Sequence, residues 1–96
     1  HTIGITTSDD SPSKVLFKAN NVAAKYINSQ PLHPTQKIKK EGKKRTTFQL
    51  DVIISEELIR EILSYGGELE VMEPEHLKET IIIRTQATLA NYIKEA

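Results

Sequence analysis

RTTFQLDVII, residues 45–54, decides the fold class. Phe48, Leu50, Val52 and Ile54 alternate with Thr47, Gln49, Asp51 and Ile53, the period of two that sends successive side chains to opposite faces of a strand. One set is wholly apolar and the other mostly polar, so the strand belongs to a sheet with one face in a core and the other in water. Immediately upstream, Gln36 to Lys40 reads as its hairpin partner. Glu41-Gly42-Lys43 forms the turn between them, with glycine supplying the bend.

The pattern continues outward in both directions. Downstream, Ser55 is suited to cap a helix, and Glu56 and Glu57 suit the positive end of its dipole. Leu58, Ile59, Ile62 and Leu63 form that helix's apolar stripe, and Gly66 ends it as a left-handed residue. Leu69 and Val71 then mark a short strand, Glu68 to Met72. Pro74 fits the first position of a last helix running to about Lys94. Upstream, Val15, Phe17 and Ala19 share one side of a strand over Lys14 to Ala19. Asn20 or Asn21 caps a helix whose Val22, Ala23, Tyr26 and Ile27 share a face, and Pro31 stops it. Residues 1–13, small and polar, read as a linker from an upstream domain, leaving 14–96 as the folded unit.

These elements spell an α+β fold of the ferredoxin-like kind: a βαββαβ antiparallel sheet with two helices on one face, plus a C-terminal helix. The expected core is Phe17, Tyr26, Phe48, Leu50, Val52, Leu58, Ile62, Leu63 and Val71. The last helix is apolar on two lines. Leu77, Ile81, Thr88 and Tyr92 would cover the domain's own core; Ile82, Leu89 and Ile93 would then face a second body, and they are the candidate dimer contacts.

The 96 residues make one domain. There is no cysteine, which excludes disulfides and thiolate chemistry and fits a reducing, cytoplasmic compartment. No apolar run approaches the roughly 20 residues needed to cross a bilayer, and no signal-peptide pattern opens the chain. The formal net charge is zero, against bulk electrostatic binding of nucleic acid. That zero hides an asymmetry. From Thr35 to Ile54, six basic residues (Lys37, Lys39, Lys40, Lys43, Lys44, Arg45) oppose Glu41 and Asp51, a net of +4; from Ser55 to Glu79, eight glutamates oppose Arg60 and Lys78, a net of −6. Such regions are either solvated faces or contacts for an anionic partner or another copy of the chain.

Catalytic chemistry finds little support. His33, His76 and His1 have no partner at metal-ligand spacing, no GxSxG motif exposes a serine, and Gly66-Gly67 ends a helix rather than opening a phosphate loop. The glutamates from Glu68 to Glu79 lack a specified acid partner and read as solvated. No catalytic residue, cofactor or metal is expected. His33 and Gln36 are compatible with two roles: fixing a loop through backbone bonds, or contacting an effector or neighbouring domain. The outer sheet face would show Leu16, Lys18, Gln49, Asp51, Ile53, Glu70 and Met72, without the aromatic platform of an RNA-binding sheet.

Leu32-His33-Pro34-Thr35-Gln36, then Glu57-Leu58, Ile62-Leu63-Ser64-Tyr65-Gly66-Gly67, and Val71-Met72-Glu73-Pro74-Glu75-His76-Leu77-Lys78 together resemble the C-terminal extension, or WCX domain, of bacterial WYL-domain transcriptional regulators. Ile3-Gly4-Ile5 is similar to the stretch that joins the WYL core to this extension, and Tyr92 to the tyrosine that often closes its last helix. Pro34, Gly67 and Lys78 depart from the usual pattern. The resemblance implies a parent protein with an N-terminal helix-turn-helix domain that contacts DNA, a central WYL barrel and this module at its end. The parent is expected to be a homodimer without membrane attachment. The implied role is regulation and dimerisation without catalysis. The alternatives are direct sensing of a small molecule or nucleotide, which needs a polar pocket near His33 and Gln36, and nucleic-acid contact through Lys37 to Arg45. The last would show a log–log salt slope of about −0.7 to −0.9 per phosphate neutralised.

Overall fold

The computed structural model describes residues 11–93. Residues 1–10 of the expected linker, the Ile3-Gly4-Ile5 stretch and Lys94 lie outside them. The order is β1 (Ser13–Asn20), α1 (Asn21–Ser29), β2 (Lys37–Glu41), β3 (Arg45–Val52), α2 (Glu56–Ser64), a 3₁₀ turn (Gly66–Glu68), β4 (Leu69–Glu73) and α3 (Glu75–Tyr92). It is an α+β fold: one antiparallel four-stranded sheet in the order β2-β3-β1-β4, with three helices including the C-terminal one.

The central pair sets the register. β1 and β3 are paired along their whole length, from Ser13↔Val52 to Asn20↔Arg45. This aligns Val15 with Leu50 and Phe17 with Phe48 on one face, and β4 adds Val71 beside Phe17 and Leu69 beside Ala19. The Phe17 and Phe48 rings stack at 5.3 Å between centroids, a contact worth roughly 0.5–1.5 kcal/mol beyond the area it buries. Onto this face α1 lays Ala23 and Ile27, α2 lays Leu58, Ile59 and Ile62, and α3 lays Leu77, closing a single core. Ile54, just past β3, keeps the alternation and is buried while Ile53 faces out.

The caps follow local chemistry. Asn20 accepts the Ala23 N–H at 2.9 Å and Ser55 accepts the Leu58 N–H at 3.1 Å, as side-chain oxygens do at helix starts. Gly66 has φ +60 and stands just past α2. The hairpin turn is one residue later than expected: Glu41 still pairs with Thr46, and the bend falls on Gly42, Lys43 and Lys44. A Cβ on Gly42 would lie 2.8 Å from the Arg45 carbonyl oxygen, which the Gly42 N–H also bonds at 2.8 Å. Pro74 is the N-cap of α3 and not its first helical residue.

Three packing expectations change. Tyr26, expected in the core, is 63% exposed, and Val22 is exposed with it. The helix is turned so that its small residues meet the sheet, Ala23 buried and Ala24 at the margin, which lets the backbone approach closely; among the described residues no element covers the opposite side. Leu63 is only partly buried, at the edge of α2's stripe. On α3, Leu77 and Ile81 touch the core, but Thr88 and Tyr92 on the same line are exposed, Tyr92 by 81%. The helix outruns the body it packs against.

Two substitutions test this packing by urea denaturation. Ile27→Ala should cost about 2–5 kcal/mol, as cavities in packed cores do, while Tyr26→Ala should stay within about 0.5 kcal/mol; the reverse order would mean that α1 presents its other face. Gly66→Ala should cost roughly 1–2 kcal/mol through backbone strain alone, because a Cβ there meets nothing within 4 Å. A neutral result would show that the chain can leave α2 without a left-handed residue.

Candidate functional site

The most unusual surface is the second half of α3. From Ile81 to Ile93 the only charged residue is Arg84, although charged residues make up 27% of the chain. Every residue from Thr85 to Ile93 is exposed, and so are Ile82 and Ile83. A free-standing helix ordinarily carries charges on its wet face; one that is apolar or neutral all round is ordinarily covered. Ile82, Leu89 and Ile93 are therefore on the surface, at 46%, 50% and 63% exposure, with Ile83 and Tyr92 beside them.

Arg84 explains how this segment is held out. Its guanidinium donates twice to Glu56, Nη1 to Oε2 at 2.6 Å and Nη2 to Oε1 at 2.7 Å. Glu56 opens α2 and also accepts from Arg60 Nε at 3.2 Å, one turn on. A bidentate fork fixes orientation as well as distance. It pins the middle of α3 to the start of α2, and everything beyond projects past the core. The Arg84 bonds, aided by the one from Arg60, hold the Glu56 carboxyl down at about 2 from its ordinary 4.5 and outweigh the desolvation that pushes it the other way. The sequence reading did not single out this pair, whose members are 28 residues apart. Its signal was the solitary charge in a neutral run.

The loop after α1 brings His33 and Gln36 together with Thr35. Gln36 Nε2 donates to the Ile27 carbonyl at 3.0 Å, and Gln36 Oε1 accepts the Leu32 N–H at 2.9 Å. Both ends of the amide are thus bonded to backbone, joining the last turn of α1 to the loop. The Thr35 hydroxyl accepts the Asp51 N–H at 2.9 Å and lies 3.1 Å from the Asp51 carbonyl, continuing with a side chain the ladder that β2 begins two residues later. His33 Nδ1 lies 2.9 Å from the Thr35 hydroxyl oxygen and 3.2 Å from the Thr35 backbone nitrogen, so the ring closes on its own loop. Nothing local in the sequence marks Thr35 for this role, which depends on Asp51, 16 residues away.

The basic residues divide. Lys37, Lys39 and Lys40 lie on the fully exposed β2, and Lys43 and Lys44 on the turn. Arg45 reaches across the outer sheet face to Glu70 at 2.9 Å, with both side chains more than half exposed. Between β2 and α1 runs an open groove of about 580 Å³ lined by Ala24, Ile38, Thr46 and Phe48 and by the charged Lys25, Glu41 and Lys43. Its lining includes neither His33 nor Gln36. Among the described residues no group of three His, Asp or Glu could hold a metal ion, and no helix is long and apolar enough to cross a membrane.

Glu56 gives a pH test of the α2–α3 clamp. Its folded value is depressed, so its contribution is fully present above about pH 4.5 and is lost as the pH falls toward 2. Glu56→Gln should melt below the parent chain at neutral pH, and the two melting curves should converge between pH 4.5 and 2. A gap that persists unchanged to pH 2 would mean that the carboxylate's charge does not hold α3.

None of the curated proteins compared with the chain matches it. A protein-family model, that of the WCX domain, matches residues 12–89. The match runs from the residue before β1 to Leu89 in α3 and takes in the Leu32–Gln36 loop, the hairpin, both flanking helices and the Val71–Lys78 stretch. With four-fifths of its length matched in this way, the chain belongs to the WCX domain family.

Proposed function

We infer that this chain is a non-catalytic regulatory and dimerisation module at the C-terminal end of a WYL-domain bacterial transcriptional regulator. The single observation that carries this reading is the family match over residues 12–89. The fold is read as ferredoxin-like, since its βαββαβ succession sets β1 and β3 side by side at the sheet centre. In this reading the parent is a cytoplasmic homodimer that contacts DNA through an N-terminal helix-turn-helix domain, while a WYL barrel lies between that domain and this one. The module's own part is to couple subunits. Its means is the exposed, neutral end of α3, where Ile82, Leu89 and Ile93 stand free.

A second reading, direct binding of a small effector, has one observation in its favour: the groove between α1 and β2, whose lining combines apolar Ile38 and Phe48 with Lys25, Lys43 and Glu41 and suits a small molecule with apolar and charged parts. Gln36 offers no such opening, because its amide is already bonded on both sides. Nucleic-acid contact through Lys37, Lys39, Lys40, Lys43 and Lys44 stays a third option, supported by their exposure alone.

The test of the leading reading is the double change Ile82→Glu with Ile93→Glu. In the intact regulator, sedimentation should show weakened dimers and operator binding should fall. In the 96-residue chain the melting temperature should barely move, because both side chains are largely outside the core. An intact regulator whose dimers are unaffected would remove α3 from the interface.

A further inference from the structure

Resting on the dimerisation reading, the structure goes one step further and names the partner surface. We propose that the free end of α3 pairs with α3 of a second copy of this chain, antiparallel and about a twofold axis. The seam consists of Ile82, Gln86, Leu89 and Ile93.

The spacing is the first support. These residues are four, three and four apart, the alternation that keeps one seam facing a partner helix. All four are exposed. Reversing the order leaves the seam matched to itself. With Ile82 opposite Ile93 of the second copy, Gln86 falls opposite Leu89, and the same two contacts recur on the other side of the axis, as an isologous interface requires. The lone polar member, Gln86, helps fix the register, because sliding one helix along the other would set its amide against an isoleucine and push seam residues past the end.

Charge is the second support. A surface without charge is matched by another without charge, since burying an unpaired ion is costly. The other exposed surfaces are marked: lysines on β2 and its turn, Glu56, Glu57, Arg60 and Glu61 on α2, and Lys14, Lys18, Arg45, Asp51 and Glu70 on the outer sheet face. The outward side of α1, with Val22 and Tyr26, comes nearest but is interrupted by Lys25. Among the described helices α3 carries the longest charge-free exposed run, the nine residues from Thr85 to Ile93, whereas the neutral stretch from Tyr26 to Gln36 is mostly loop; the best match for this helical surface is its own copy. Thr85 and Ala90 flank the seam, and their small side chains leave room for the helices to approach. Four seam side chains per helix bury less than the ~800 Å² per partner of a stable specific interface, so the pair tightens an assembly that other contacts hold together.

The natural chain has no cysteine, which permits a direct test by disulfide trapping in the 96-residue chain at high concentration under mild oxidation. Ile82→Cys and Ile93→Cys are made separately, distinguished by tags of different size, and checked for unchanged melting temperature. The mixture should yield the mixed disulfide, and neither variant alone should give its own dimer, since in the antiparallel register two copies of residue 82 lie about 16 Å apart along the axis. Self-linked Ile82→Cys dimers would mean parallel helices and overturn the proposal. So would a link from Ile82→Cys to Tyr26→Cys in place of Ile93→Cys, which would seat α3 on α1. If no mixed disulfide forms while Ile82→Glu with Ile93→Glu still weakens the intact dimer, the antiparallel pairing is wrong and the dimerisation reading survives it. If that double change leaves the intact dimer untouched, the reading itself fails.

Discussion

The eight-residue pairing of β1 with β3 is the constraint on which the rest of the molecule depends. Both strands are central, so each has a hydrogen-bonded neighbour on either side and neither offers a free edge. Their inward residues meet as aligned pairs, Val15 with Leu50 and Phe17 with Phe48, and a slip of one residue would turn every one of these toward water. With that register fixed, β4 can only add Val71 and Leu69 to the same face, and the helices have one apolar surface on which to settle. The sheet is the reference frame for every surface group of the fold.

The helix layer is less evenly constrained. α1 and α2 bury stripes, but α3 is seated by Leu77 and Ile81 over its first two turns and by the Arg84–Glu56 fork beyond them. An ion pair at a largely exposed site contributes little stability. Its bidentate geometry matters more for direction, because it decides which way the remaining two turns of α3 point. Packing thus settles that α3 exists, and a polar contact settles what it presents.

Sheet strands and caps were legible from the sequence because their signals are local. The alternation in residues 45–54, the oxygens of Asn20 and Ser55, and the glycine after α2 each act within a few residues. What was misread was decided at a distance. Val22, Ala23, Tyr26 and Ile27 make two adjoining stripes, and hydrophobicity alone favours burying the larger side chains. The sheet instead takes the side with Ala23 and Ala24, where the backbone can come close and Gln36 can hold the Ile27 carbonyl. Likewise the line from Leu77 to Tyr92 continues past the point where β4 and α2 end, which no periodicity can reveal. For His33 and Gln36 the two readings were chemically equivalent until the backbone partners of Gln36 were seen. The surface position of Ile82, Leu89 and Ile93 did follow from the pattern, since one stripe was more than the domain could use.

An antiparallel sheet of four strands has two open edges, and these are the usual places where such domains join. Here both are guarded. The register of β2 against β3 steps past Lys39, and that of β4 against β1 steps past Met72, irregularities of the kind that twist an edge away from a flat partner. Lys37, Lys39 and Lys40 line one edge together with Glu41; Glu70 and Glu73 lie on the other, so pairing of either edge with its own copy would bring an excess of like charge together. The outer face carries Lys14, Lys18, Arg45, Asp51 and Glu70. Charge is thus spread over the sheet and both of its edges and is withheld from Ile81 to Tyr92 of α3 except for one arginine already paired with Glu56, which leaves the end of that helix, and not the strands, as the least charged exposed face of the fold.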